Sequence, residues 1–212
     1  MTDMETKRTE RQGYHHGDLR NALIGAAAEL AETGGPEAVT VRAAARLAGV
    51  TPTAAYRHFT NHEQLLGAAQ DKAQHELFTA MSMGMNTLGP DAHPALRLDA
   101  AGRGYIEFAI REPGLFRTAF CAAPPQAADT QAAPSFGLLS GVIDDLVAVG
   151  FLAPEHRQDA EITAWAAVHG LACLIVDGAV AWADEAGRER AITTMLATVE
   201  RGFATGAQTA VQ

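Results

Sequence analysis

The chain has 212 residues, 48% apolar and 19% charged, a globular composition that excludes a disordered chain. Its net charge of −9 lies outside the first 60 residues, where seven basic and seven acidic side chains balance, so binding to a polyanion is confined to that segment. Alanine is abundant and β-branched residues form no short alternating runs, which excludes a β-rich fold and predicts an all-α protein.

Residues 1–16 read as a flexible arm and 206–212 as a flexible tail, flanking a helix-turn-helix unit over 17–62 and a regulatory and dimerisation unit over 63–205. The polar stretch METKRTERQGYHHGD has no secretory-signal character. The first helix starts at Asp18 as N-cap and carries Leu19, Leu23, Ala27 and Leu30 at helical spacing. TGGP, 33–36, ends it with a left-handed glycine. A second helix follows Thr40 and stops near Ala48, and Gly49 makes the turn. A third takes Thr51 as N-cap and Pro52 as first helical residue, and runs to about His58. A fourth starts near Thr60, with Glu63 completing a capping box, and reaches Met81 or beyond.

After the break LGPD, 88–91, a fifth helix has Leu98, Ala101, Tyr105 and Phe108 on one face. EPG, 112–114, restarts the chain into a short helix bearing Phe116 and Phe120, and 123–134 reads as a loop. A helix over 135–150 carries Leu139, Val142, Ile143, Leu146 and Val149. PEH opens a long helix, 155–182, and a last helix spans 188–204. The long helix is apolar on more than one face, so a second partner covers what its own core does not. With 135–150 it is expected to form a four-helix interface between two copies. LACLIV, 171–176, is its longest purely apolar run, far short of the ~20 residues of a membrane span.

Two helices joined by a short glycine turn, the second polar on its outer face, make a helix-turn-helix. Ala45 is small at the crossing, Val50 plugs the turn, and Ala55 and Phe59 face inward at i and i+4. Thr51, Thr53, Ala54, Tyr56, Arg57 and His58 then face outward, a set able to reach phosphates and base edges in a major groove. Thr40 and Thr51 start helices whose N-termini attract phosphate, and Arg20, Arg42 and Arg46 add positive charge. An arm with Lys7, Arg8 and Arg11 could reach a minor groove or backbone.

The segment TVRAAARLAGVTPTAAYRHFTNHEQLL, with YHHGDLR before it, resembles the DNA-binding part of TetR-family transcriptional regulators over residues 14–66. Trp165 with Val168–His169–Gly170, and REPGLFRTAF at 111–120, are similar to the subgroup with a Trp-His-Gly regulatory domain. The resemblance implies a homodimer of about nine helices per chain that binds double-stranded DNA and responds to a small-molecule effector. It puts Thr40, Thr51, Thr53, Tyr56, Arg57 and His58 at DNA-contacting places, Tyr56 on a phosphate, Thr53 and Arg57 on base edges. Two departures are His62, where the family often has lysine, and Pro52, at a commonly polar position. A neutral imidazole holds phosphate less well than an ammonium.

A pocket in the regulatory part is expected to be lined by Met81, Met85, Tyr105, Phe108, Phe116, Phe120, Phe136, Trp165 and His169. Such a lining suits a lipophilic effector, with His169 or Tyr105 as polar handle. No G-x-S-x-G, G-x-G-x-x-G, P-loop or H-E-x-x-H is present, so no enzyme and no cofactor are expected. His58 and His62 stand at i, i+4 without an evident third metal ligand. Cys121 and Cys173 form no CxxC and read as reduced thiols of a cytoplasmic protein.

Overall fold

The computed structural model describes residues 16–121, 133–182 and 184–204, and all its regular structure there is helical. Residues 1–15 of the expected arm, the tail and most of the loop at 123–134 lie outside the described residues; His16, expected as the arm's last residue, already belongs to the first helix, which therefore starts before Asp18. Nine α-helices follow in order: α1 His16–Gly34, α2 Val41–Leu47, α3 Pro52–Tyr56, α4 His62–Asn86, α5 Pro94–Arg111, α6 Pro113–Ala119, α7 Pro134–Ala148, α8 Arg157–Val176 and α9 Glu185–Phe203.

Local chemistry explains most helix ends. Gly35 closes α1 at φ 67°, its N–H donating to the Ala31 carbonyl at 2.8 Å. Thr40 caps α2 by accepting from the Ala43 N–H at 3.1 Å, and Thr51 caps α3 by accepting from Ala54 at 3.2 Å. Gly49, at φ 68°, takes the turn between them, where a Cβ would be penalised.

Other ends fall elsewhere than the sequence suggests. The cap of α4 is Asn61, whose side chain accepts from the Gln64 N–H at 2.9 Å. Gln64, not Glu63, reaches back, accepting from the Thr60 N–H and hydroxyl at 3.0 and 3.1 Å. Helix α3 stops at Tyr56, and a last turn closes as the His58 N–H donates to the Ala55 carbonyl at 2.9 Å. Helix α8 ends at Val176 rather than near 182, because Gly178 turns left-handed at φ 65°. Helix α9 starts at Glu185, where Asp184 accepts from the Gly187 N–H at 2.7 Å. Val149, expected on the apolar stripe of α7, sits beyond the helix and is exposed.

Helices α1, α2 and α3 close around Leu23, Ala27, Val41, Ala44, Ala45, Ala55 and Phe59, all buried. Helix α4 carries a buried row, Leu65, Ala69, Ala73, Leu77 and Met81, at strict i+4 spacing. Each i+4 step turns the row by about 40°, so it winds about 160° from end to end. One helix thereby packs on α1 near its start and on α5, α6 and α7 further along. Three contacts with backbone are close enough to require glycine, among them Gly84 of α4, where a Cβ would lie 2.7 Å from the Ala100 carbonyl oxygen of α5. A Cβ on Gly104 of α5 would lie 2.6 Å from the Ala80 carbonyl oxygen of α4, and one on Gly114 of α6 only 2.1 Å from that of Ala31 in α1. Helices α5, α7, α8 and α9 complete the larger layer.

Candidate functional site

Helix α3 sits with Ala55 and Phe59 in the core, so its other side points out. Thr51, Pro52, Thr53, Tyr56 and Arg57 are exposed, while Ala54 and His58 are half-buried. From α2, Thr40 and Arg42 are exposed, and His62 is exposed at the first position of α4. Of the ten residues singled out in the sequence, eight are thus exposed and two half-buried. The hydroxyl oxygens of Thr40 and Thr51 accept the capping bonds, and each keeps its O–H as a donor for an incoming anion.

Charge on this surface is available. Among the described residues, Arg42, Arg46 and Arg57 enter no ion pair, and neither do Arg20 of α1 and Arg190 and Arg201 of α9, whereas Arg97, Arg103, Arg111, Arg117, Arg157 and Arg188 are paired with carboxylates. Arg20 is more committed than its sequence position suggests, its guanidinium lying 5.1 Å from the centre of the Phe59 ring. Asn61 joins the surface as the exposed cap of α4; the signal for it was the N-x-x-Q spacing, read one residue too early.

A small cavity of about 30 Å³, partly open to solvent, lies between α4, α5, α7, α8 and α9. Met81, Leu98, Tyr105, Leu139, Trp165 and Val168 are among its lining residues. Of the nine residues expected there, only Met81, Tyr105 and Trp165 reach it. Phe116, Phe120 and His169 stand behind Tyr105 and Trp165 in a ring cluster, with Phe120 and His169 centres 4.7 Å apart. Phe136 packs on Trp165 at 5.6 Å, Phe108 is buried in the core, and Met85 packs against that core from further along α4. The Leu196, Val199 and Glu200 walls come from α9, where no local pattern signalled a pocket.

His169 joins α8 to α5 through its Nδ1, 2.8 Å from the Tyr105 hydroxyl, and its Nε2 lies 3.5 Å from Cys173 Sγ. Burial pushes the Tyr105 phenol up and the His169 imidazole down, so both are neutral at physiological pH. The arrangement that satisfies all three groups has Tyr105 O–H donating to Nδ1 and Nε2–H pointing at sulfur. Burial also raises both thiols, Cys121 and Cys173, away from the reactive thiolate. Among the described residues, no three His, Cys, Asp or Glu side chains come together as a metal site.

Comparison with known proteins gives this geometry a family. No curated protein matches the chain. Among solved structures, a protein of unknown function from Rhodococcus sp. RHA1 is similar over 91% of this chain and 99% of its own, with 28% identity and a TM-score of 0.75. A TetR variant from Acinetobacter baumannii AYE in complex with minocycline shares 22% identity over 90% of this chain and 96% of its own, TM-score 0.62. A TetR transcriptional regulator from Streptomyces coelicolor shares 21% identity over 85% and 97%, also at 0.62. At such identities the likeness to the last two is one of fold. Two family models span more than two thirds of the chain between them: "Bacterial regulatory proteins, tetR family" matches residues 23–69, and "Tetracyclin repressor-like, C-terminal domain" matches 98–199. The helix-turn-helix surface and the helical body with its cavity therefore belong together, and the chain is a DNA-binding transcriptional regulator of the TetR family.

Proposed function

We propose that two copies of this chain hold a palindromic operator through their α3 surfaces and repress transcription until a small lipophilic effector enters the cavity. The supporting observation is a group of three exposed arginines around α3, Arg42, Arg46 and Arg57, none of which enters an ion pair among the described residues. Tyr56 and the threonine hydroxyls position the surface on phosphates, and Thr53 and Arg57 read base edges. Thr40, Arg42 and His58 flank them, Pro52 and Ala54 offer apolar contact, and exposed His62 substitutes weakly for a lysine. The Trp165 and Val168–His169–Gly170 pattern supports reading the regulatory unit as one of the Trp-His-Gly type, in a protein proposed to work in the cytoplasm.

Release follows from geometry. Helix α4 is about 37 Å long, so a tilt of about 5° at its Met81 end moves its Asn61 end by about 3 Å. Two half-sites about 34 Å apart tolerate little such misfit. A second route runs from the cavity wall through Tyr105, whose ring meets Phe116 of α6 edge-on at 5.8 Å, to Gly114 and α1. The effector thus shifts a population between DNA-fitting and misfitting dimers.

The test is binding of duplex from the protein's own promoter and of random duplex across a salt series. Tight promoter binding, with a shallow salt slope set by few phosphate contacts, is expected. Arg57→Ala costs about 1–3 kcal/mol on the promoter and much less on random duplex. Equal affinity for both duplexes, or full promoter binding after joint Tyr56→Ala and Arg57→Ala replacement, would favour a helical interaction protein without sequence-specific DNA binding.

A further inference from the structure

We infer that Arg117 of α6 is a positioning residue for DNA binding: it ties the end of α8 to α6 and so fixes which half-site spacing the dimer accepts. This rests on the reading of a dimer on a palindromic operator, and adds the residue that sets the angle of each DNA-binding unit.

The end of α8 is completed from another helix. The last four carbonyls of a helix have no partner further along it. At α8 the turn through Gly178 serves three of them. The Asp177 N–H donates to the Cys173 carbonyl at 2.9 Å, the Ala179 N–H to Leu174 at 3.1 Å and the Gly178 N–H to Ile175 at 3.2 Å. The fourth, Val176, accepts from Arg117 Nη2 at 3.0 Å, and the same nitrogen reaches Asp177 Oδ1 at 3.2 Å. The guanidinium thus offsets a carboxylate that stands at the negative end of the α8 dipole.

Helix α6 carries that hold to the DNA-binding unit. Its seven residues span about 10 Å. At its first turn Gly114 meets the Ala31 and Glu32 carbonyls of α1 with no room for a Cβ. At its far end the Ala119 carbonyl accepts from Gln74 Nε2 at 2.8 Å and Gln70 Nε2 at 3.3 Å, both of α4. Arg117 lies between these two contacts, so a shift at the end of α8 is passed to α1 through a short, braced helix. Phe116 and Phe120 also pack on His169 of α8. Those ring contacts set a separation, whereas the Arg117 bonds are directional and set the register of α6 along α8.

A purely stabilising role is the competing account. The Arg117 and Asp177 side chains are 48% and 59% exposed, so their ion pair contributes little to stability. What the contact does control is orientation, because α8 bears the apolar face of the proposed dimer and α1 leads to the α3 surface.

The experiment compares the full chain with Arg117→Ala on three duplexes: the promoter palindrome, the same palindrome with one or two base pairs inserted at its centre, and a single half-site. Insertion is expected to weaken wild-type binding, and Arg117→Ala to narrow that gap by about three- to tenfold. Half-site affinity, the urea midpoint and the dimer in sedimentation should stay as in the wild type. Arg117→Lys, which keeps a charged donor near the Val176 carbonyl, should recover part of the discrimination. The inference is overturned if Arg117→Ala discriminates spacing as the wild type does, or if its half-site affinity falls in parallel with the palindrome. Arg117→Gln replaces the alanine variant if that does not fold, and failure of both to fold would make Arg117 structural and overturn the inference too. A wild-type chain indifferent to spacing would instead sink the palindromic-operator reading itself.

Discussion

Thr51 serves two tasks with one hydroxyl, and substitution can separate them. Its oxygen accepts the Ala54 N–H and starts α3, while the exposed O–H keeps a donor for the phosphate of the proposed complex. Thr51→Ala removes the cap and costs about 1 kcal/mol of stability, read by urea unfolding. Thr51→Asp keeps the cap but sets a carboxylate against phosphate, so stability holds and promoter binding fails. An aspartate variant that still binds promoter would show that no phosphate approaches this position. His169 carries a second residue-scale expectation. Burial holds its folded pKa below the ordinary 6.5. Above that value both folded and unfolded states are neutral, and stability is complete. As pH falls through 6.5 the unfolded chain takes up a proton that the folded one resists, so stability drops. The urea midpoint of the wild type, relative to that of His169→Gln, should therefore fall between about pH 7.5 and about pH 5.5. A constant difference would remove His169 from the pH response.

Helices transmit only what their contacts enforce. Gly114 brings the start of α6 against the Ala31 and Glu32 carbonyls of α1, where a Cβ would lie 2.1 and 2.5 Å away. Neither neighbour is a flexible side-chain end, so both backbones must part. Gly114→Ala is expected to destabilise by about 1–3 kcal/mol in thermal unfolding. Gly67→Ala is the control, because nothing lies within 4 Å of its added methyl. In the interior of α4 that change should stabilise by about 0.5–1 kcal/mol. Similar losses in both variants would show that α6 does not bear on α1. Much of the element scale was legible beforehand. The caps at Thr40 and Thr51 and the turns at Gly35 and Gly49 depend on residues within one turn of each other. The end of α8 was not, because apolar residues resume at Ala179–Trp182 directly after Asp177 and Gly178, and it is the left-handed backbone of Gly178 that ends the helix.

At the scale of the whole molecule, α8 leaves an apolar face uncovered. Ile162, Ala166, Gly170 and Leu174 recur at i+4 on the exposed side, with Ile162 60% and Leu174 44% exposed. The segment Pro154–Val176 is long and apolar enough to cross a membrane by length and composition, and 22% of its most apolar window is buried. In the proposed dimer a second copy laid against this face would bury it, and that pairing would fix the separation of two α3 surfaces. Ile162→Glu with Leu174→Glu should give a monomer by sedimentation at micromolar concentration. Promoter affinity should then fall by about two orders of magnitude, as bivalent contact is lost. A double variant that remains dimeric would move the interface elsewhere.

The amino-acid sequence by itself determined what short-range chemistry controls: nine helical segments, their principal caps and turns, and an α3 whose Ala55 and Phe59 face inward so that Tyr56 and Arg57 face outward. One turn of helix contains every residue that decides those outcomes. The tertiary structure alone decided the cavity. Met81, Tyr105 and Trp165 lie on three different helices, and Phe116, Phe120 and His169, alike in chemistry, stand behind them. Whether an aromatic ring lines a void or fills it depends on how five helices, distant along the chain, meet at one place, and no local pattern encodes that meeting.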